Sequence, residues 1–244
     1  MTLVHNTPTG FNEFKKILPN TVIQQLVIGK YWTLVGTKCG TGLATSPPKE
    51  RQSINAKPKE TRFLGQATNK IIELSKSINP YERAIGCATI NSLINKHSLQ
   101  LPLENGLDIS SEDKDHVVVI GRFPGLDKKL PNAIVLEMNP GPNDFPASKA
   151  KELIPGCDYL IITASSWVNG SLQGILDLAN GAHVSLIGPS TPLSPILNLY
   201  GIHKAAGFIA EAPAELASVI RNGGGAKQFK HLGKYGVMDF NKKI

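Results

Sequence analysis

Four turns hold most of the side chains in this sequence that could do chemistry. They are Gly121-Arg122-Phe123-Pro124-Gly125, Glu137-Met138-Asn139-Pro140, Thr163 to Gly170 (TASSWVNG) and Gly188 to Pro195 (GPSTPLSP). Glycine lets main-chain N–H donors come close to an anion, and Arg122 supplies a charge to hold one. Glu137 suits a ribose or other hydroxyl, or a general acid or base. Thr163, Ser165, Ser190 and Thr191 offer hydroxyls, Asn139 and Asn169 amides, and Gly188 and Pro189 an accessible backbone. Each residue also has a plainer use: Ser190, Thr191 or Asn169 can cap a helix, and Glu137 can pair with Arg122. Convergence of four such turns favours a ligand over four coincidences.

The motifs that are missing narrow the chemistry. The glycines of GRFPGL do not make G-x-G-x-x-G, which disfavours ordinary dinucleotide binding, and no phosphate-binding Walker loop, G-x-S-x-G elbow or H-E-x-x-H pair occurs. The six histidines (His5, His97, His116, His183, His203, His231) are scattered, and none has a second ligand at metal-binding spacing within one element. His116 and His183 stand at the amino ends of expected strands, where they read as structural. Of the three cysteines, Cys157 reads as packing, and Cys39, beside Gly40-Thr41-Gly42, is the thiol to test for reactivity. An odd number of widely spaced cysteines fits free thiols in a reducing compartment.

For the turns to meet, regular elements must hold them. From residue 116 onward, HVVVIG, AIVLEMN, DYLIITA, AHVSLIG and AGFIAE are short runs apolar throughout, as expected of strands buried on both faces of a parallel sheet. Between them PASKAKEL, GSLQGILDLAN and PAELASVIRN carry helix signals. Loops beyond the carboxyl ends of such strands are where ligands bind in open α/β sheets. Earlier in the chain, Thr21 to Gly36 reads as a hairpin with Lys38 to Thr45 as a third strand. Two helices follow, over Leu64–Ser77 and Pro80–Asn95. The polar stretch LPLENGLDISSEDKDH divides the two patterns, so the expected domains are 1–108, α+β, and 109–244, an α/β Rossmann-like parallel sheet. The basic stretch after Ala226 lacks a period and is expected to be a surface tail.

With 244 residues, 41% hydrophobic and 18% charged, the chain can bury a substantial core and is a poor candidate for disorder or coiled coil. It holds no apolar run long enough for a membrane span and no signal-peptide pattern at its start, which gives the cytoplasm as the expected compartment. The formal charge of +7 is concentrated early: residues 1–110 hold 13 basic and 7 acidic residues, the rest 13 and 12. The basic residues Lys49, Arg51, Lys57, Lys59 and Arg62 lie in a loop-like stretch without a nucleic-acid-binding motif. An anionic small ligand is the better match, and nucleic acid is not expected.

VVVIGRFPGL, LEMNPGPNDFPAS, DYLIITASSWVNGSL and LIGPSTPLSP, in that order, resemble the family catalogued under heavy-metal chelation, and KYWTLVGTKCGTGLA and YERAIGCATINSLIN resemble its usual amino-terminal partner, which has an enolase N-terminal-like fold. The resemblance covers nearly the whole chain. It implies a cleft between the halves that processes pterin-, flavin- or siderophore-like molecules, with Gly121, Arg122, Phe123, Glu137, Asn169, Gly188, Pro189, Ser190 and Thr191 facing it and Thr41 and Asn91 contributed by the first domain. The resulting expectation is binding of an anionic or metal-chelating small molecule, with condensation or hydrolysis as the chemistry and Arg122 and Glu137 as the catalytic candidates. Metal would arrive on an organic chelator or be held by oxygen donors such as Glu137. The alternatives are an S-adenosylmethionine- or nucleotide-dependent transferase, and a metal-handling protein without catalysis.

Overall fold

A computed structural model of the chain describes residues 12–52, 56–104, 106–109 and 116–240. Strands β1 (Gln25–Ile28), β2 (Trp32–Thr37) and β3 (Gly40–Thr45) form an antiparallel sheet in that order. The second sheet has seven strands: β4 (Val117–Ile120), β5 (Ile134–Glu137), β6 (Phe145–Pro146), β7 (Tyr159–Thr163), β8 (His183–Ile187), β9 (Lys204–Ala210) and β10 (Gly233–Asp239). Their order across the sheet is β10-β9-β8-β7-β4-β5-β6, all parallel except β10. The α/β architecture is therefore as expected, with every expected strand present.

The order contains a reversal. From β4 the chain steps outward to β5 and β6, then returns to lay β7 against the other side of β4. A reversal of this kind, between β4 and β7, is where open α/β sheets place their ligand sites.

The Pro80–Ile94 helix stands between the two sheets. Asn79 caps it, its side chain accepting the N–H of Tyr81 at 2.9 Å, and Pro80 occupies the first turn, where its missing N–H costs nothing. Every residue from Ala84 to Leu93 is buried, the polar Thr89, Asn91 and Ser92 included. The apolar stripe read from the sequence is therefore one side of a helix covered all round. Gly42 lets β3 approach the helix closely: a Cβ there would lie 2.2 Å from the Ala88 oxygen and the Ser92 nitrogen. One hydrophobic cluster runs through the contact, from Phe14, Ile23 and Leu26 by way of Ile85 and Leu93 to Leu160, Trp167, Leu186 and Ile209.

Several local expectations change. The stretch after Ala226 is no tail: Ala226–Phe229 is helical and β10 pairs antiparallel with β9 from Gly233↔Ala210 to Asp239↔Lys204. Its alternation is weak because only Gly236 and Val237 are buried along this edge. The expected Leu64–Ser77 helix starts at Thr68 and tightens into a 3-10 turn over Ile72–Lys76, where the long helix crowds it. Gly170 splits the helical segment after β7 into Ser165–Asn169 and Leu172–Leu176. Much of the polar divider, at residues 105 and 110–115, lies outside the described residues, as does His5.

Candidate functional site

The carboxyl ends of β4, β5, β7 and β8 bring Gly121, Arg122, Glu137, Thr163, Ser165 and Gly188 to one rim of the sheet. Gly121 has φ +91°, and a Cβ on it would sit 2.7 Å from Cγ2 of Thr163, so only glycine lets the β4 turn pass the end of β7. At Gly188, whose φ is +125°, an added Cβ would meet nothing nearer than the Ala164 nitrogen at 4.0 Å. The half-buried Thr163 hydroxyl donates to Ser165 Oγ at 3.3 Å.

Arg122 is already held on two sides. Its Nη1 donates to both carboxylate oxygens of Asp127 at 2.8 and 2.9 Å, while Nη2 and Nε reach Asp144 at 2.5 and 3.3 Å. The two partners differ in kind. The Asp144 side chain is 3% exposed and also accepts the Gly141 N–H at 3.0 Å, whereas that of Asp127 is 80% exposed. The Arg122 guanidinium holds the Asp144 carboxyl below the usual range, with the Gly141 N–H helping, and Asp144 in turn pushes Arg122 up. Glu137 turns Oε1 to the Arg122 N–H at 2.7 Å and Oε2 to the Met138 N–H at 3.1 Å, tying the end of β5 to the β4 turn. Two carboxylates, Asp127 and Asp144, face the guanidinium, while the third, Glu137, holds the main chain of Arg122.

The remaining expected residues lie elsewhere. Ser190 and Thr191 are 1% and 0% exposed and form a seam with the first half of the chain. Asn91 Nδ2 donates to the oxygens of Leu43 and Ser190 at 2.7 and 2.8 Å, and the Thr45 N–H donates to Ser190 Oγ at 3.1 Å. Asn95 Nδ2 donates to Thr191 O at 2.9 Å and Phe208 O at 3.3 Å, and its Oδ1 accepts the Leu193 N–H at 2.9 Å. These groups serve the join between the sheets, because main-chain donors and acceptors buried there need partners. Pro189 is half-buried beside them. Thr41 lies half-buried on β3 opposite Gly36, and Phe123 packs on the cluster around Leu126 and Leu130. Asn139 is exposed beyond β5. Asn169 ends a helix instead of starting one: its Oδ1 accepts the Ser171 N–H at 2.9 Å and its carbonyl accepts Arg83 Nη1 at 2.8 Å.

Sequence reading did not single out Asp127, Asp144, Asn95 or Arg83. Asn91 and Asn95 sit four apart on one helix, which is a readable sign of a polar face; the Asp144 partnership spans 22 residues and leaves no such sign. The thiols divide as expected, with Cys87 and Cys157 buried and pushed upward by desolvation, and Cys39 half-buried, its N–H donating to Thr37 Oγ1 at 3.2 Å. His183 and His203 stack at 4.9 Å at the amino end of the parallel strands, away from the rim. Among the described residues no three His, Cys, Asp or Glu side chains come together as a metal site, and no helix is long and apolar enough to cross a membrane.

Comparison with known proteins agrees with this fold. The sequence profile of the DUF364 family, described as "Putative heavy-metal chelation", matches residues 105–239, and that of DUF4213, described in the same words, matches residues 11–94. A protein of unknown function from the DUF364 family of Desulfitobacterium hafniense DCB-2 has a similar structure, at 26% identity and a TM-score of 0.83, over 94% of this chain and 96% of that one. A second, from Pyrococcus horikoshii, is 22% identical with a TM-score of 0.78, over 95% and 100%, which shows the fold alone. No curated protein matches the chain significantly. With more than half of its length matched by the first profile, the chain belongs to the DUF364 family.

Proposed function

We propose that the protein binds a small metal-chelating molecule with an anionic group, in the crevice between the ends of β4 and β7. The observation that carries this is the reversal of strand order at β4 and β7, the place where open α/β sheets take their ligands. Gly121, Thr163, Ser165 and Gly188 line that place with hydroxyls and backbone instead of bulk.

Arg122 explains the kind of ligand. Buried Asp144 fixes one edge of the guanidinium, and exposed Asp127 covers the other with a solvent-screened pair that contributes little and exchanges readily. A ligand carboxylate would take the place of Asp127 in the same two-point geometry. A bare anion meets the surplus negative charge of Asp127, Glu137 and Asp144, whereas a metal chelate brings its own cation. Glu137 fixes the β4 turn that carries Arg122. This reading takes 1–108 and 109–244 as the two units and the cytoplasm as the setting.

The test is equilibrium dialysis of tag-free protein against nickel nitrilotriacetate, free nickel and free nitrilotriacetate, with metal measured by mass spectrometry. Retention of about one nickel per chain only from the chelate is expected, lost in Arg122→Ala and strengthened in Asp127→Ala. Equal retention by the wild type and Arg122→Ala, or none from the chelate, would refute the proposal.

A further inference from the structure

A cavity of about 390 Å³ lies where the β1–β2 turn meets the Pro213–Arg221 helix. Ile28, Gly29, Lys30, Gln52, Lys57 and Tyr81 line it from the first half of the chain, and Arg221, Asn222 and Gly223 from the second. It shares no residue with the rim at β4 and β7.

The contact that makes its walls is close. A Cβ on Gly29 would lie 2.4 Å from the Ile220 oxygen and 2.7 Å from Ile220 Cγ2, so glycine alone seats the turn on the helix. Side chains then fix the lining. Gln52 Nε2 donates to Lys30 O at 3.1 Å and Pro47 O at 2.6 Å, and Lys57 Nζ donates to Ile28 O at 2.5 Å. The turn has a defined shape before any ligand arrives.

Charge gives the cavity its character. Lys30, Lys57 and Arg221 line it, and among the described residues no carboxylate does. Glu60, which touches the lining at Ile28, is turned to the Ile28 N–H at 2.7 Å. Lys30 Nζ rests 4.9 Å over the Tyr31 ring, and Arg221 makes no ion pair among the described residues. Three cationic residues around one concave space, with no counter-charge in the lining among the described residues, make an electropositive site. The size falls in the range of small-molecule pockets.

We infer that this cavity is a binding site for a small polyanion carrying two or more oxyanion groups, held by Lys30, Lys57 and Arg221. Phosphate and carboxylate groups share that chemistry. Arg221 offers a planar fork to one group, and the two lysines act as point charges on another.

Isothermal titration of the full chain with pyrophosphate, and separately with citrate, in a phosphate-free buffer tests the inference. Saturable one-to-one binding of at least one of them is expected, the stronger of the two assigning the oxyanion class. Loss of one charge-assisted contact should weaken it roughly tenfold or more in Arg221→Glu. Lys30→Glu, on an exposed side chain, gives the same result independently of any folding defect in the first variant. Arg122→Ala, at the rim, leaves this binding unchanged, which separates the two sites. Absence of saturable binding at millimolar anion, or full affinity in a folded Lys30→Glu protein, would overturn it.

Discussion

Replacing Asn95 by alanine should loosen the join between the two sheets by an amount the structure allows to be worked out. Its side chain is 2% exposed and makes three contacts, two donated to the Thr191 and Phe208 carbonyls and one accepted from the Leu193 N–H. A net hydrogen bond contributes about 1 kcal/mol, and a buried N–H left without a partner costs about 1–3 kcal/mol. Alanine removes all three contacts and abandons the Leu193 N–H. The expected loss is about 3 kcal/mol, a large part of the roughly 5–15 kcal/mol by which domains are stable. Asn95→Asp is the sharper variant. It keeps the shape and the contact to Leu193, but a carboxylate would point at two carbonyl oxygens, so the loss should be at least as great. Equilibrium unfolding in urea measures both, with Asn198→Ala, on an exposed residue, as the control expected to stay within about 0.5 kcal/mol. A loss below about 1 kcal/mol for Asn95→Ala, with an unchanged dependence on urea, would mean that the seam does not hold the halves together.

Two further outcomes follow from packing and protonation. Gly42→Ala should cost about 3 kcal/mol in thermal or urea unfolding, because the added Cβ meets only main chain, the Ala88 oxygen and Ser92 nitrogen at 2.2 Å and the Asn91 carbonyl carbon at 2.6 Å, and no flexible side chain can yield. Gly174→Ala, with nothing within 4 Å, should be neutral or stabilising by comparison. Burial holds His183 below its ordinary value of 6.5, helped by His203 and Lys204 and opposed by Asp239. The unfolded chain therefore takes up a proton near pH 6.5 that the folded chain resists, and the urea midpoint should fall as pH is lowered from 7.5 to 5.5. His183→Phe should flatten that slope; an unchanged slope would remove His183 as its source.

What the sequence disclosed follows from how each element is buried. β4, β5, β7, β8 and β9 are covered on both faces, so their residues are apolar in unbroken runs that stand out from the neighbouring turns. β10 has one partner and mostly half-buried residues, and Gly233, Lys234 and Gly236 interrupt what alternation it has. The same pattern in isolation describes a loop. The long helix was legible by its opening Pro80 and its apolar residues, yet nothing in the sequence marks Thr89, Asn91 and Ser92 as buried. A polar side chain carries no mark that tells water from a main-chain carbonyl as its partner. That ambiguity also governs GPSTPLSP, whose hydroxyl and backbone groups suit a ligand as well as they suit Asn91 and Asn95.

The location of the crevice has a different origin. Strand positions in the sequence say that four turns lie at one edge, but only strand order says which two of them part. Because β7 returns to the side of β4 that β5 does not occupy, Gly121 and Thr163 come together at the reversal. The turn after β8 meets Asn91 and Asn95 of the Pro80–Ile94 helix instead, and is closed by them. In the proposed binding mode the helix covers one end of the rim and leaves the other to the ligand, which is why Arg122, with an exposed and replaceable partner in Asp127, is the residue on which binding there should turn.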